Sequence, residues 1–64
     1  MTYVKFQQYL AQAGFTYTPI GKAQYGKLVK RGFRPYDLYS IACDVHSGFT
    51  LGESIKAIQE SNNA

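Results

Sequence analysis

Apolar side chains recur every three or four positions from Pro35 onward, which is the spacing of an amphipathic helix. One stripe of this segment is apolar and contains Leu38, Ile41, Ala42 and Val45. The opposite stripe is polar and contains Asp37, Ser40 and Asp44. Proline suits the first helical position because its missing N–H has no partner there, and glycine suits the residue that closes the last turn. The pattern therefore predicts a helix over residues 35–47, ended by Gly48.

Another amphipathic segment follows immediately. Thr50 and Glu53 have the spacing of a capping box, in which each side chain accepts a hydrogen bond from the other residue's backbone N–H. Apolar residues then recur on one side, at Leu51, Ile55 and Ile58. We predict a helix over residues 51–61 and a frayed tail over residues 61–64.

The first segment, residues 3–13, has the same periodicity. Its apolar side carries Tyr3, Phe6, Tyr9, Leu10 and Ala13. Its polar side carries Lys5, Gln7, Gln8 and Gln12. Thr2 suits the N-cap of this helix and Gly14 suits its end. Residues 15–18 then alternate ring and hydroxyl side chains, and we predict an extended connector there.

Residues 19–31 are predicted to form the remaining helix, with Thr18 as its cap and Pro19 in its first turn. Its predicted inner side carries Tyr25, Leu28 and Val29, and its outer side Gln24, Lys27, Lys30 and Arg31. Gly21 and Gly26 each cost about 1 kcal/mol relative to alanine inside a helix. A hairpin that turns at residues 19–22 is therefore an open alternative for residues 15–31.

A glycine followed by a phenylalanine comes after three of the predicted helices, at Gly14-Phe15, Gly32-Phe33 and Gly48-Phe49. Glycine adopts the positive φ that closes a last helical turn, and an apolar next residue packs back on the helix that it leaves. We predict an all-α fold, a compact bundle of four short helices joined by these Gly-Phe turns. The predicted core consists of Phe6, Leu10, Leu28, Leu38, Ile41, Val45, Phe49, Leu51, Ile55 and Ile58.

The chain length of 64 residues suits one small helical domain, whose core is too small for a large enclosed active site. A single cysteine excludes an intramolecular disulfide and favours a reducing compartment. No apolar run reaches the roughly 18 residues of a membrane span, and the N-terminus lacks a long apolar signal segment. These features predict a cytoplasmic protein without a membrane partner.

The net charge is only +3, but the charged residues are unevenly distributed. Residues 1–34 hold six cations and no acidic residue, which gives a formal charge of +6. Residues 35–64 hold four acidic residues and Lys56 as their one cation, which gives −3. The chain therefore has a basic and an acidic half, and we expect electrostatics to help select its partners.

Five cations of the basic half define what we call the basic face, which comprises Lys22, Lys27, Lys30, Arg31 and Arg34. They are interleaved with Tyr17, Tyr25 and Tyr36. Because cations contact phosphates and rings stack on sugars or unstacked bases, the basic face with Tyr25 predicts a nucleic-acid site, for DNA rather than RNA. An ordinary solvated face and a site for an acidic protein surface are the two alternatives.

Cys43 and His46 lie three residues apart on one predicted helix, a spacing at which a thiol–imidazole pair could form. Such an enzyme also needs a pocket, an oxyanion hole and a third group on other elements, which so small a core does not readily supply. We interpret Cys43 as a half-buried small hydrophobe and His46 as a charge at a helix C-terminus. One cysteine, one histidine and scattered carboxylates do not supply four zinc ligands. We predict no catalytic site, cofactor or metal.

Residues 38–63, LYSIACDVHSGFTLGESIKAIQESNN, resemble the first two helices of the ubiquitin-associated-like fold. The resemblance rests on a helix that ends in Gly48-Phe49 and on the later residues Ile55, Ala57, Ile58, Asn62 and Asn63. It implies protein recognition around Gly48 and Phe49 rather than catalysis.

These observations predict a small, non-enzymatic binding protein of the kind encoded by phages and plasmids, a regulator that contacts nucleic acid through the basic face. The alternative is a protein–protein interaction module, or an inhibitor that docks on a larger host protein. Candidate anchors for that alternative are Phe15, Phe33, Tyr36, Gly48 and Phe49.

Overall fold

A computed structural model describes residues 2–62 of the chain. They form four α-helices, numbered in chain order: α1 (Tyr3–Gln12), α2 (Lys22–Lys30), α3 (Pro35–His46) and α4 (Leu51–Asn62). No strand occurs among these residues, so the predicted all-α fold is confirmed and the alternative hairpin is wrong. Within the same range, no helix combines the length and apolar character needed to cross a membrane.

Local hydrogen bonds set the starts of α1 and α3. The Thr2 hydroxyl accepts a hydrogen bond from the backbone N–H of Lys5 at 3.2 Å, as predicted for an N-cap. Pro35 lies in the first turn of α3, and the Asp37 carboxylate accepts a 3.0 Å hydrogen bond from the backbone N–H of Arg34. Groups at helix ends that lack a partner within the helix are thereby satisfied by near neighbours in the sequence.

The start of α4 is the predicted capping box. The Thr50 backbone N–H donates to Glu53 Oε1 at 2.9 Å, and the Glu53 backbone N–H donates to Thr50 Oγ1 at 3.1 Å. The helix continues through Ser61 to Asn62, so the frayed tail predicted from residue 61 is wrong for its first two residues. Residues 63 and 64 of that predicted tail lie outside the described residues.

The three Gly-Phe turns share one backbone geometry. Gly14, Gly32 and Gly48 have φ values of 102°, 92° and 107°, which confirms the predicted left-handed conformation. In each turn the phenylalanine N–H donates to a carbonyl five residues earlier, for example from Phe15 to Leu10 at 3.0 Å. The glycine N–H donates to the carbonyl three residues earlier. This pair of bonds is the Schellman motif, which supplies donors for the last carbonyls of a helix.

The core lies where α3 packs against α4 and α1 packs against α2. Its buried apolar members are Phe6, Leu10, Ile20, Tyr25, Leu28, Leu38, Ile41 and Ala42. Four further predicted core residues are partly buried against this cluster, namely Val45, Leu51, Ile55 and Ile58. The prediction omitted Ile20, which has no exposed surface.

The burial of Ile20 explains why α2 starts later than predicted. The Tyr3 hydroxyl donates a 2.8 Å hydrogen bond to the carbonyl of Ile20, which ties this residue to α1. Gly21 follows with an extended backbone and serves as the N-cap, and its N–H donates to Gln24 Oε1 at 3.0 Å. The predicted start at Thr18 and Pro19 is therefore wrong, because residues 19 and 20 form a bend that places Ile20 in the core before the helix begins.

Phe49 is the one predicted core residue that lies on the surface. Its side chain is 55% exposed, although its backbone completes the same turn as Phe15 and Phe33. Phe15 and Phe33 are partly buried against the core. Phe49 is exposed because the turn orients the phenylalanine only toward its own helix, and burial also requires a neighbouring element to cover it.

Candidate nucleic-acid interface

Helix α2 presents three lysines to solvent because its opposite side is buried. Tyr25 and Leu28 are 6% and 3% exposed and hold one side of the helix on the core. At 100° per residue, Lys22, Lys27 and Lys30 fall on the remaining surface, and all three are exposed. The helix therefore displays cations along its outer side.

Two arginines extend this cationic surface across the turn between α2 and α3. Arg31 is the C-cap of α2 and Arg34 the N-cap of α3, and both are exposed. The Arg31 guanidinium lies 5.5 Å from the centroid of the Phe33 ring, a cation–π distance that holds the side chain close to the turn. The five members of the basic face thus belong to one helix and the turn that follows it.

No carboxylate of residues 2–62 forms an ion pair with the basic face. The nearest acidic residue in sequence is Asp37, whose carboxylate accepts a hydrogen bond from the Arg34 backbone. The charges of the basic face are consequently available to an external anion.

Tyr25 does not belong to the candidate interface, contrary to prediction. Its ring lies 5.3 Å from that of Tyr3 and 5.0 Å from that of Phe6, centroid to centroid. Burial raises the pKa of its hydroxyl. Because the face of the Tyr25 ring is covered, this ring cannot stack on a base. Tyr36, two residues beyond Arg34, is 63% exposed, so its ring is accessible where that of Tyr25 is not.

The residues named for the alternative protein-binding site do not form one surface. Phe15 and Phe33 are partly buried against the core and brace the turns that contain them. Gly48 and Phe49 are exposed at the end of α3, and Tyr36 is exposed at its start. The twelve residues of α3 separate these two ends by about 18 Å at 1.5 Å per residue.

The structure reveals a row of rings that the sequence interpretation missed. Its members, in order of contact, are Tyr9, Tyr39, Phe15, His46 and Tyr17, with centroids 5.4, 6.2, 5.3 and 5.6 Å apart. In the tautomer with its proton on Nε2, His46 accepts a 3.0 Å hydrogen bond from the Tyr17 hydroxyl at Nδ1. One signal was present in the sequence, because Tyr39 and His46 are seven residues apart and so share a side of α3.

Cys43 lies beside this row and is partly buried. A hydrogen bond with the Cys43 side chain raises the pKa of Tyr39. His46 makes its ring contacts and its hydrogen bond with Phe15 and Tyr17. Its position at the end of α3 is therefore explained by packing against the connector after α1.

An open groove of about 560 Å³ lies between the C-terminal end of α3 and α4. We call it the acidic groove, and it is lined by Asp44, Phe49, Glu53, Ser54, Lys56, Ala57 and Glu60. Three of these residues are acidic and one is a lysine. The charge asymmetry of the sequence thus becomes two distinct surfaces in the fold.

Comparison with known proteins yields no match to a protein family, to a curated protein or to a solved structure. The resemblance of residues 38–63 to the ubiquitin-associated-like fold therefore stays a prediction. Any functional conclusion must come from the surfaces described above.

Proposed function

We propose that this chain is a small, non-enzymatic nucleic-acid-binding protein that contacts DNA phosphates through the basic face. The observation that carries the proposal is the exposure of all five cations on one helix and its following turn, without an ion pair to a described carboxylate. A cationic surface of this kind releases condensed counterions when it binds a polyanion, and this release supplies a large part of the affinity.

The dimensions of the basic face support this proposal. Lys22 and Lys30 are eight residues apart, which corresponds to about 12 Å along α2 at 1.5 Å per residue. Phosphates of one DNA strand repeat about every 3.4 Å along the duplex axis, so α2 spans three or four of them. The exposed Tyr36 ring beside Arg34 suits a contact with a sugar or an unstacked base.

Fluorescence anisotropy with a labelled DNA duplex tests the proposal. The titration is repeated at several salt concentrations, from about 50 to 200 mM in roughly two-fold steps. If four phosphates are contacted, log K should fall against log salt with a slope of about −3 to −4. Absence of binding at the lowest salt concentration would contradict the proposal.

The second candidate is a protein-interaction module that docks on an acidic surface of a larger protein. It is favoured by the exposure of Tyr36 close to Arg34, because a large exposed ring can serve as an anchor in a protein interface. A pull-down separates the two candidates. A stoichiometric protein partner that is retained after nuclease treatment supports the module, and nucleic acid released by high salt supports DNA binding.

A further inference from the structure

The acidic groove combines carboxylates with an exposed ring. Phe49, 55% exposed, lines it together with Asp44, Glu53 and Glu60. Asp44 and Glu53 each accept a hydrogen bond within the fold, from Ser54 and Thr50. A carboxylate has two oxygens with about four acceptor sites, so both residues retain capacity for an external donor. The groove therefore suits a partner that presents several cations.

The chain itself carries the complementary surface. Arg34 caps the start of α3 and Asp44 lies near its end, and their separation of ten positions corresponds to about 15 Å. Lysine and arginine side chains do not close such a gap, and no carboxylate of residues 2–62 pairs with the basic face. Within one molecule the two charged surfaces are thus held apart, whereas two molecules can bring them together.

We propose that the acidic groove binds the basic face of a second copy of this chain. Lysines and arginines of one copy pair with the groove carboxylates of the other, and one of these cations makes a cation–π contact with the exposed ring of Phe49. Opposite charges at such an interface mainly accelerate association and define its orientation. The resulting self-association is weak and sensitive to salt, because most of the paired charges remain near solvent.

Self-association through the basic face affects the DNA binding proposed above, although it does not depend on that binding. DNA and the acidic groove would compete for the same cations, so a DNA duplex should dissociate the self-associated form. Self-association and DNA binding are measured separately, so either proposal can be contradicted while the other stands.

Sedimentation equilibrium of the purified protein tests the inference at low and high salt. We expect concentration-dependent association at low salt that weakens as salt rises. Glu60→Gln should weaken it by about two- to five-fold in Kd, and Lys56→Gln should strengthen it by a similar factor, since these changes have opposite effects on the groove charge. Both residues are exposed on α4, so neither change disturbs the core.

A matched pair of lysines provides the control. Lys30→Gln and Lys5→Gln lower the net charge equally, but Lys5 lies on α1 outside the basic face. Lys30→Gln should weaken association and Lys5→Gln should not, whereas general charge repulsion would make both changes strengthen it. The inference is overturned if the protein is monomeric at all concentrations at low salt. It is also overturned if Glu60→Gln and Lys30→Gln leave the Kd of association unchanged. A monomer that binds an oligolysine peptide through the groove also overturns it, in favour of a different basic partner.

Discussion

The Ser54 hydroxyl donates a 2.7 Å hydrogen bond to Oδ2 of Asp44, ten residues earlier in the chain, and so joins α4 to α3. Ser54 is 2% exposed and is the buried polar residue of the described core. Its partner lies on the rim of the acidic groove, so this bond couples the packing of the helix pair to the shape of the groove.

Removal of this bond should cost stability. Ser54→Ala is expected to lower the free energy of unfolding by about 2 kcal/mol, because a hydrogen bond to a charged acceptor contributes about 1.5–3 kcal/mol. Asp44→Asn retains an oxygen acceptor and should cost less. Urea denaturation of the two variants and the parent measures the difference. Equal stability of Ser54→Ala and the parent would show that the bond contributes nothing.

The left-handed conformation of Gly48 predicts a contrast with Gly52. At Gly48 the φ of 107° strains any residue with a Cβ, so Gly48→Ala should destabilise by about 1 kcal/mol, and Gly48→Val by more. Gly52 lies inside α4, and a Cβ there meets no atom within 4 Å. Gly52→Ala should therefore stabilise by about 0.5–1 kcal/mol. Thermal melts decide the signs, and a stabilising Gly48→Ala would contradict the assignment of the turn.

The capping role of Glu53 predicts a pH dependence. Hydrogen bonds from Thr50 lower the pKa of Glu53 in the folded state. The carboxylate therefore contributes stability that is complete above the ordinary glutamate pKa of about 4.3 and is lost as pH falls through the lower folded-state pKa. Glu53→Gln keeps an acceptor oxygen without a titrating group. Melts between neutral and acidic pH should show a smaller acid loss for Glu53→Gln than for the parent; equal losses would exclude the carboxylate as the cause.

The proposed DNA site predicts different effects for two lysines. Lys30→Gln should reduce the magnitude of the salt slope by about one, because one phosphate contact is removed. Lys5→Gln changes the net charge equally from a position on α1 and should leave the slope nearly unchanged. Anisotropy titrations at several salt concentrations provide both slopes. Equal slopes for the two variants would show that binding depends on total charge and not on the basic face.

The ends of α1, α3 and α4 could be predicted from the sequence because their interactions are local. Thr50 and Glu53 satisfy each other's backbone N–H groups across three residues, and the glycine turns close across five. The donors, acceptors and the glycine that such motifs require are all present in a short stretch of chain. For the same reason α1, α3 and α4 agree with their predicted spans to within one residue at either end.

The positions of Ile20, Tyr25 and Phe49 were decided by tertiary structure. Ile20 and Tyr25 are buried because α1 supplies Tyr3 and Phe6 as their neighbours, and these residues are far away in sequence. Phe49 has the same local motif as its buried counterparts but lies in an open groove. Local preference cannot distinguish these outcomes, since burial is favourable only where another element removes water from the side chain.

The candidate sites show the same division between local and tertiary information. That the lysines and arginines of the basic face are exposed follows from the sequence, because an unpaired buried charge is very costly. That Tyr36 and not Tyr25 provides the accessible ring follows from the way α2 packs on α1. The acidic groove likewise exists only in the folded chain, since α3 and α4 must pack together before Asp44, Phe49 and Glu60 line one surface. Composition thus determines the charges, and the docking of helices determines which of them face a common partner.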